Sequence, residues 1–239
     1  MGPTETEPRA TATEPANRTI CDPRARSDRM LIAFDFDGTL SDSEMTVLLG
    51  EEAGVAGEID EITEQAMNDE LSYAESLYAR ADLLDGLDEE RVEAAFGRVA
   101  LRPGTGDVLD ALSAAGHHVA ILTGGFETGV EQALESTRSS VDTIVANRLP
   151  IRNGALTGAA EGPLIEGTKD DALADLAAEV GVDMADTVAV GDGANDLPML
   201  EVAGLAVGYE PKPAVEPHCD VVVSSMVRLR ELFEDEGVL

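Results

Sequence analysis

The stretch that decides the fold lies near the start of the chain, where residues 31–40 read LIAFDFDGTL. Its apolar run has the length of a buried β-strand and ends in two aspartates, Asp35 and Asp37, separated by one residue. Two close carboxylates repel one another, and burying their charge is costly unless a cation lies between them. The pattern therefore indicates a small site for a hard cation such as Mg²⁺, with a solvated Asp-Gly turn as the alternative.

Strands and helices alternate along the rest of the chain. Short apolar runs predict strands at 118–122, 140–145, 187–190, 205–207 and 221–223. Helical patterns occupy 106–115 and 168–180, and the turn-rich segment 147–162 has room for a small hairpin. This alternation predicts an α/β fold, with a Rossmann-like three-layer core built on a parallel sheet.

The segment between the first and second strands is too long for a simple crossover. Residues 43–100 are rich in Ala, Leu and Glu in helical patterns, so we expect an inserted helical cap over 42–100. The α/β core would then comprise 30–41 and 101–239. Ligands bind beyond the carboxyl ends of the strands in open sheets of this kind, which is where the polar clusters of this sequence lie.

Residues 1–29 differ in composition from the remainder. They hold four prolines, five acidic and five basic residues, and no apolar periodicity, so we expect a disordered tail. Met30 stands directly before the first strand, and one hypothesis is that translation begins there. The intact mass of the protein from its native source would test that hypothesis.

Composition excludes several classes of function. The formal net charge of −32 opposes binding to nucleic acid or to an anionic membrane. The acidic residues are spread along the chain, as in proteins from salt-accumulating microbes. No apolar run reaches the roughly 20 residues of a membrane helix, and the N-terminus lacks the apolar core of a signal peptide. We expect a cytoplasmic protein, a setting that the two cysteines Cys21 and Cys219 fit.

Two further polar clusters follow predicted strands. Residues 191–196 read GDGAND, which adds the carboxylates of Asp192 and Asp196 and the amide of Asn195. Residues 123–126 read TGGF, where the Thr123 hydroxyl and the backbone amide of Gly124 suit an anionic oxygen. Each cluster alone also fits an ordinary loop or strand-to-helix turn. Together with the first cluster they favour a Mg²⁺ site beside an anion site.

The scarcity of lysine draws attention to Lys169. The chain holds only two lysines, Lys169 and Lys212, and Lys169 begins a helical stretch reading KDDAL. A surface ion pair with Asp170 or Asp171 is the alternative interpretation. Beside the three polar clusters, a role facing a phosphate group is the favoured one.

The order of these elements, DxDGT, TGG, a lone Lys and GDGxND, resembles the haloacid dehalogenase superfamily of Mg²⁺-dependent phosphatases. Within that superfamily the chain is similar to the phosphoserine phosphatase family over residues 30–235. The similarity includes RPG at 102–104, ANRL at 146–149 and VGDGANDLPMLEVAGLAVGYEPKP at 190–213. One departure is Gly38, which stands where phosphoserine phosphatases usually carry Ser and many other superfamily members carry Gly.

The resemblance implies a division of labour among the acidic residues. Asp35 would be the nucleophile that takes the phosphoryl group, and Asp37 the general acid and then the general base. Mg²⁺ would be held by the Asp35 carboxylate, the Asp37 backbone carbonyl and the Asp192 carboxylate. Asp196 would orient Lys169 or a metal-bound water from outside.

The resemblance also implies the residues that bind substrate. Phosphate would be bound by Thr123, the Gly124 amide and Lys169, with Asn195 contacting phosphate or substrate. In the cap, Glu44 would lie near the substrate amine and Arg80 near its carboxylate, whereas surface charge on cap helices is the alternative. The residues implied to close over the site are Met67 and Tyr73, the latter where Phe is usual.

The expected function is hydrolysis of O-phospho-L-serine, the last step of serine biosynthesis. The partner would be a small phosphate ester, and the chain would act as a monomer or a homodimer. Related alternatives are a phosphatase for a sugar, polyol or homoserine phosphate, and a phosphotransferase that passes the group to an alcohol. A different class is a non-catalytic acidic protein that sequesters Mg²⁺ or Ca²⁺; absence of turnover with any phosphate ester would favour it.

Overall fold

The computed structural model of the protein describes residues 29–68 and 70–239. Within them, a six-stranded parallel sheet forms the centre of the fold. Its strands are β1 (Leu31–Phe34), β2 (His118–Phe126), β3 (Thr143–Asn147), β6 (Thr187–Gly191), β7 (Leu205–Tyr209) and β8 (Val221–Val223). They lie side by side in the order β3-β2-β1-β6-β7-β8. The short strands β4 (Ile151–Arg152) and β5 (Ala155–Leu156) form a separate antiparallel hairpin. The α/β class predicted from the sequence is confirmed.

Helices cover both faces of the sheet. Those that follow the first strand are α1 (Met45–Ala53), α2 (Ala56–Met67), α3 (Tyr73–Asp82), α4 (Glu89–Phe96) and α5 (Thr105–Ala114). The later helices are α6 (Glu127–Thr137), α7 (Lys169–Val180), α8 (Leu197–Val202) and α9 (Met226–Asp235). Successive side chains of a strand point to opposite faces, so the fully buried β1 supplies both cores. Ile32 and Phe34 pack with α5, α6 and α9, whereas Leu31 and Ala33 pack with α7 and α8.

The strand order creates a crevice where the chain reverses its direction across the sheet. From β1 the chain moves through β2 to β3, and it then returns to the other side of β1 with β6, β7 and β8. Strands β1 and β6 pair in parallel register, so the residues after Phe34 and after Gly191 emerge side by side. Open parallel sheets bind ligands at this topological switch point.

The chain leaves and re-enters the core at one place. Ser41 and Leu101 form an antiparallel bridge, and the amide of Arg102 donates to the carbonyl of Leu40 at 2.8 Å. Helices α1–α4 lie between these two points along the sequence. The β4–β5 hairpin contacts this helical segment, because the Leu156 amide donates to the carbonyl of Leu87 at 2.9 Å.

One strand is longer than its sequence pattern suggests. The apolar run predicts an end at Leu122, but β2 continues to Phe126 and α6 begins at the next residue. The pairing of β2 with β3 shifts between Leu122 and Phe126, so the TGGF segment is an irregular strand end instead of a turn. The predicted tail over 1–29 lies outside the described residues except for Arg29. Among the described helices, each is too short or too polar to span a bilayer.

Candidate active site

The turn after β1 places two carboxylates at the switch point. The Asp35 amide donates to the Val190 carbonyl at 2.9 Å, which extends the pairing of β1 with β6 by one residue. The chain then turns at Gly38, whose φ is +91°, a conformation that favours glycine. The side chain of Asp35 is buried, and Oδ1 of Asp37 is buried without a hydrogen-bond partner among the described residues.

The loop after β6 is organised by Asp196. Its Oδ2 accepts from the amides of Asp192 and Gly193, at 3.0 and 2.9 Å. Because both amides belong to the loop itself, this one buried carboxylate fixes the backbone beside β1. Asp192 is thereby turned toward the first loop, where the Thr39 hydroxyl donates to its Oδ1 at 3.3 Å.

Lys169, the first residue of α7, links the two acidic loops. Its ammonium donates to Oδ1 of Asp35 and to Oδ1 of Asp196, both at 2.6 Å, and its side chain is 4% exposed. Burial alone lowers the pKa of Lys169, but the carboxylates of Asp196 and Asp35 outweigh it and raise that pKa. The lysine is therefore a permanent buried cation. The alternative interpretation of the sequence, a surface ion pair with Asp170 or Asp171, is therefore wrong, because the ammonium pairs with Asp35 and Asp196.

The acidic side chains of the site are held in an unfavourable electrostatic environment. Burial and the charge of Asp196 raise the pKa of Asp35 to about 7 against the opposing effect of Lys169. Burial and the charges of Glu44 and Asp35 raise the pKa of Asp37 well above its usual range. Burial and Asp196 likewise raise the pKa of Asp192. Each shift reflects negative charge without enough compensation, which an additional cation would supply.

The donor set fits a divalent cation. Carboxylate oxygens of Asp35, Asp192 and Asp196 all lie within 4.8 Å of one another. In the described part of the chain, the acidic side chains that interact around the switch point outnumber the cationic ones: Asp35, Asp37, Glu44, Asp192 and Asp196 against Arg80, Lys169 and Lys212. Oxygen ligands and this excess of acidic groups suit Mg²⁺. Because Asp196 already accepts hydrogen bonds from Lys169 and two backbone amides, Asp35 and Asp192 are the carboxylates that can still ligate a metal ion.

The irregular end of β2 forms another wall of the site. Thr123 is buried, and its Oγ1 accepts from the Gly125 amide at 2.9 Å. The carbonyl of Gly124 accepts from the hydroxyl of Tyr73 and from the side-chain amide of Asn147, each at 3.0 Å. With its carbonyl held from both sides, Gly124 presents a fixed backbone beside Lys169.

Helix α3 brings Tyr73 over this wall. The helix begins with a capping box, in which the Ser72 hydroxyl accepts from the Glu75 amide and the Glu75 carboxylate accepts from the Ser72 amide. Tyr73 is the first residue of the helix and is 38% exposed. Beside it opens a cavity of about 310 Å³, whose lining includes Tyr73, Gly124, Lys169 and Asn195.

Two charged residues of the segment between Ser41 and Leu101, Glu44 and Arg80, lie at different helices near the site. Glu44 directly precedes α1, and its charge acts on Asp37. Arg80 lies in the last turn of α3 and donates to the Ser76 carbonyl at 3.2 Å and to the Thr46 hydroxyl at 3.3 Å. Burial lowers the pKa of Arg80, and the charge of Glu44 opposes that shift. Met67 ends α2, but its side chain lies outside the described part of the molecule.

Reasoning from the sequence missed two residues of the site. Asn147 ends β3, is fully buried, and accepts from the Leu164 amide at 3.0 Å while it holds Gly124. Its position just after a predicted strand could have marked Asn147 as a residue of the site. Lys212 reaches Oδ2 of Asp192 at 3.5 Å, and the scarcity of lysine was its signal.

Comparison with known proteins identifies the family. The model of the haloacid dehalogenase-like hydrolases matches residues 32–201, and the chain belongs to this family. It is 51% identical to a phosphoserine phosphatase of Halobacterium salinarum over 87% of this chain and 99% of that protein. It is 37% identical to a phosphoserine phosphatase of Methanocaldococcus jannaschii over 86% of this chain and 97% of that protein.

Solved structures agree with this assignment. A phospho-aspartyl intermediate analogue of phosphoserine phosphatase superposes with a TM-score of 0.78 at 36% identity, and covers 86% of this chain and 98% of that one. A substrate-bound phosphoserine phosphatase complex gives the same TM-score and identity over 86% of this chain and 97% of that one. The resemblance seen in the sequence motifs is confirmed.

Proposed function

We propose that this chain is a Mg²⁺-dependent phosphoserine phosphatase, which hydrolyses O-phospho-L-serine through an aspartyl phosphate on Asp35. The observation that carries the proposal is the convergence of Asp35, Asp192 and Asp196 within 4.8 Å around the switch point, with Lys169 buried between two of them. A relative of this name that is 51% identical over almost its whole length supports the choice of substrate.

Asp35 supplies the nucleophilic oxygen. Its carboxylate forms a bond to phosphorus while the bond from phosphorus to the serine oxygen breaks, and water later cleaves the acyl phosphate. The ammonium of Lys169 at 2.6 Å fixes the orientation of this carboxylate and favours its ionised form. Without that cation, burial would raise the pKa of Asp35 further and disfavour the nucleophilic carboxylate.

Asp37 moves the protons. Burial and the charges of Glu44 and Asp35 raise its pKa and so favour the protonated form, which can donate a proton to the leaving serine oxygen. Once ionised, the same carboxylate accepts a proton from the water that attacks the aspartyl phosphate. The buried and unpartnered Oδ1 of Asp37 leaves an oxygen for this exchange.

Magnesium would be held by the carboxylates of Asp35 and Asp192 and by the backbone carbonyl of Asp37. When bound, it neutralises negative charge so that an anionic carboxylate can approach an anionic phosphate. Asp196 stays outside this set, because it binds Lys169 and the amides of its own loop. Its role is to hold Lys169 and Asp192 in place.

The phosphate group would lie between the strand end and Lys169. The Thr123 hydroxyl, the Gly124 amide and the Lys169 ammonium would stabilise the charge on the transferring oxygens. Asn195 lines the adjoining cavity, from which it would contact phosphate or substrate. The carbonyl contacts made by Tyr73 and Asn147 keep the Gly124 peptide rigid.

Residues 42–100 would serve as a cap that selects the substrate. Glu44 would bind the amine of phosphoserine and Arg80 its carboxylate, because Arg pairs with carboxylates in a bidentate geometry. Met67 and Tyr73 would close over the bound substrate. The paired exit and return of the chain at Ser41 and Leu101 supports treating this segment as one insertion in a core of 30–41 and 101–239.

The proposal extends to the cellular setting of the reaction. The reaction would complete serine biosynthesis in the cytoplasm, with the chain acting as a monomer or a homodimer. A net charge of −32 and a relative from Halobacterium support a protein adapted to high salt, where counter-ions screen the repulsion between its surface carboxylates.

The test is phosphate release from a panel of small phosphate esters, with and without Mg²⁺, at low and at multimolar KCl. We expect phosphoserine to be hydrolysed well ahead of sugar, polyol and homoserine phosphates. Asp35→Asn should abolish turnover and keep the fold, and Asp175→Asn, an exposed change on α7, serves as its control. Turnover by Asp35→Asn would refute the mechanism, and a profile led by sugar phosphates would refute the substrate.

A further inference from the structure

Lys212, which follows β7, contacts the loop after β6 through both its backbone and its side chain. Its backbone amide donates to the carbonyl of Asp192 at 2.9 Å, which ties the two loops together. Its ammonium lies 3.5 Å from Oδ2 of the same residue. Main chain and side chain of Lys212 therefore both converge on Asp192, one of the two carboxylates with capacity for a metal.

The two lysines of this chain are held very differently. Lys169 is 4% exposed and makes two contacts of 2.6 Å, so it is a fixed part of the site. The side chain of Lys212 is 56% exposed, against 13% for its partner Asp192, and its single ion pair is longer. Half of the Lys212 side chain faces water, so its ammonium can leave Asp192 at little cost.

The charge of Lys212 reaches beyond Asp192. It lowers the pKa of Glu44, whose carboxylate precedes α1, and so opposes the burial that raises that pKa. It also lowers the pKa of Asp192 against burial and the charge of Asp196. One half-exposed ammonium thus compensates a carboxylate of the core and a carboxylate of the helical segment at the same time.

We propose that Lys212 is a displaceable counter-cation, which neutralises Asp192 while no divalent ion is bound and withdraws when one binds. Its positive charge then competes with the metal, so Lys212 weakens the affinity of the site for Mg²⁺ and stabilises the metal-free protein. The inference rests on the proposed function only in taking Asp192 as a metal ligand. It needs no assumption about the substrate or the chemical steps.

The test is calorimetric titration of metal-free protein with MgCl₂ at fixed pH and fixed KCl. Lys212→Met keeps the aliphatic length and removes the charge, so the affinity for Mg²⁺ should rise by about three- to tenfold, as expected for the loss of one half-exposed charge beside a metal ligand. Lys212→Arg should bind Mg²⁺ as the wild type does. The thermal midpoint of metal-free Lys212→Met should fall, and saturating Mg²⁺ should restore it to the wild-type value.

Arg230→Met controls for the change in overall charge. Arg230 is an exposed cation on α9 whose ion pair is with Glu234, and its loss changes the net charge by the same amount. We expect its Mg²⁺ affinity to equal that of the wild type. If Arg230→Met tightens binding as much as Lys212→Met does, the effect is global and the proposal is wrong.

The remaining outcomes separate this inference from the proposed function. If the wild type binds Mg²⁺ and Lys212→Met binds it equally, Lys212 is an ordinary surface lysine. If Lys212→Met binds more weakly, the lysine positions Asp192 for the metal and does not compete with it. Either result overturns the inference and leaves the phosphatase intact. A wild type that binds no Mg²⁺ would overturn the metal assignment and this inference together.

Discussion

The carboxylate of Asp192 occupies the space that a side chain at position 38 would need. A Cβ atom on Gly38 would lie 2.6 Å from Oδ1 of Asp192, and the backbone there has φ of +91°. The Arg102 guanidinium donates to the Gly38 carbonyl at 2.9 Å and to Glu210 at 3.2 Å, which holds the turn in place. The glycine that departs from the usual Ser of phosphoserine phosphatases thus fits the geometry of this chain.

Gly38→Ser should therefore damage the site and the fold together. Positive φ costs a non-glycine residue roughly 1–2 kcal/mol, and the new Cβ must also displace the Asp192 carboxylate. We expect a lower thermal midpoint and a loss of Mg²⁺ affinity of at least about tenfold, measured by calorimetry. Gly181→Ser is the matched control, because Gly181 has φ of +73° and nothing within 4 Å of its Cβ position. Equal Mg²⁺ affinities in the two variants would show that a side chain at position 38 does not disturb Asp192.

Tyr73→Phe should weaken the contact between helix α3 and the core. The variant loses the hydrogen bond from the Tyr73 hydroxyl to the Gly124 carbonyl, and such a bond contributes roughly 0.5–1.5 kcal/mol. We expect KM for phosphoserine to rise about two- to tenfold, since the segment would close over the substrate less firmly. Tyr78→Phe on the same helix, where the side chain is 43% exposed, should leave KM unchanged. Steady-state kinetics would measure these KM values. An unchanged KM in Tyr73→Phe would show that this hydrogen bond does not help the segment to close over the substrate.

Arg80→Ala should separate substrate recognition from chemistry. If the guanidinium binds the carboxylate of phosphoserine, its loss removes a charged hydrogen-bond pair worth roughly 1.5–3 kcal/mol. The expected result is a fall of about 10- to 100-fold in kcat/KM for phosphoserine, with little change for an aryl phosphate that lacks the carboxylate. Arg91→Ala, an exposed change on α4, is the control. An equal loss on both substrates would show that Arg80 does not read the amino acid.

The stability of the metal-free protein should depend on pH through Asp35. Its pKa is raised from 3.8 to about 7 in the folded protein, so folding favours the protonated form. The contribution of Asp35 to the free energy of unfolding is then complete below about pH 4 and is lost as the pH rises through about 7. Bound Mg²⁺ should cancel this loss, because a cation favours the ionised carboxylate.

Calorimetry of metal-free protein from pH 4 to pH 8 at constant KCl would measure this contribution. Over that range the thermal midpoint of the wild type should fall more steeply than that of Asp35→Asn, in which the titrating group is absent. Asp175→Asn should follow the wild type, since its exposed carboxylate lies on the outer face of α7. Parallel curves for wild type and Asp35→Asn would show that other groups cause the pH dependence.

Local sequence patterns were enough to predict the α/β class and the three loops that carry polar groups. The apolar runs before Asp35 and before Asp192 have the length of buried strands, so they can be recognised from neighbouring residues alone. The preference for glycine in the turns that follow them is a local property too. The scarcity of lysine pointed to Lys169, and the order of the motifs, Lys169 included, then pointed to the family. The end of β2 was misjudged, because its two glycines are typical of a turn although tertiary pairing with β3 keeps the segment extended.

Only the tertiary structure decided which of these groups meet. Asn147 reaches Gly124, and Lys212 reaches Asp192, through contacts whose geometry depends on the order of strands in the sheet and on how the loops pack. The space at Gly38 is likewise limited by Asp192, which lies 154 positions further along the chain and outside any local sequence pattern. Local preferences select the elements, whereas distances between their ends arise from packing across the whole core, and the chemistry of the site depends on those distances.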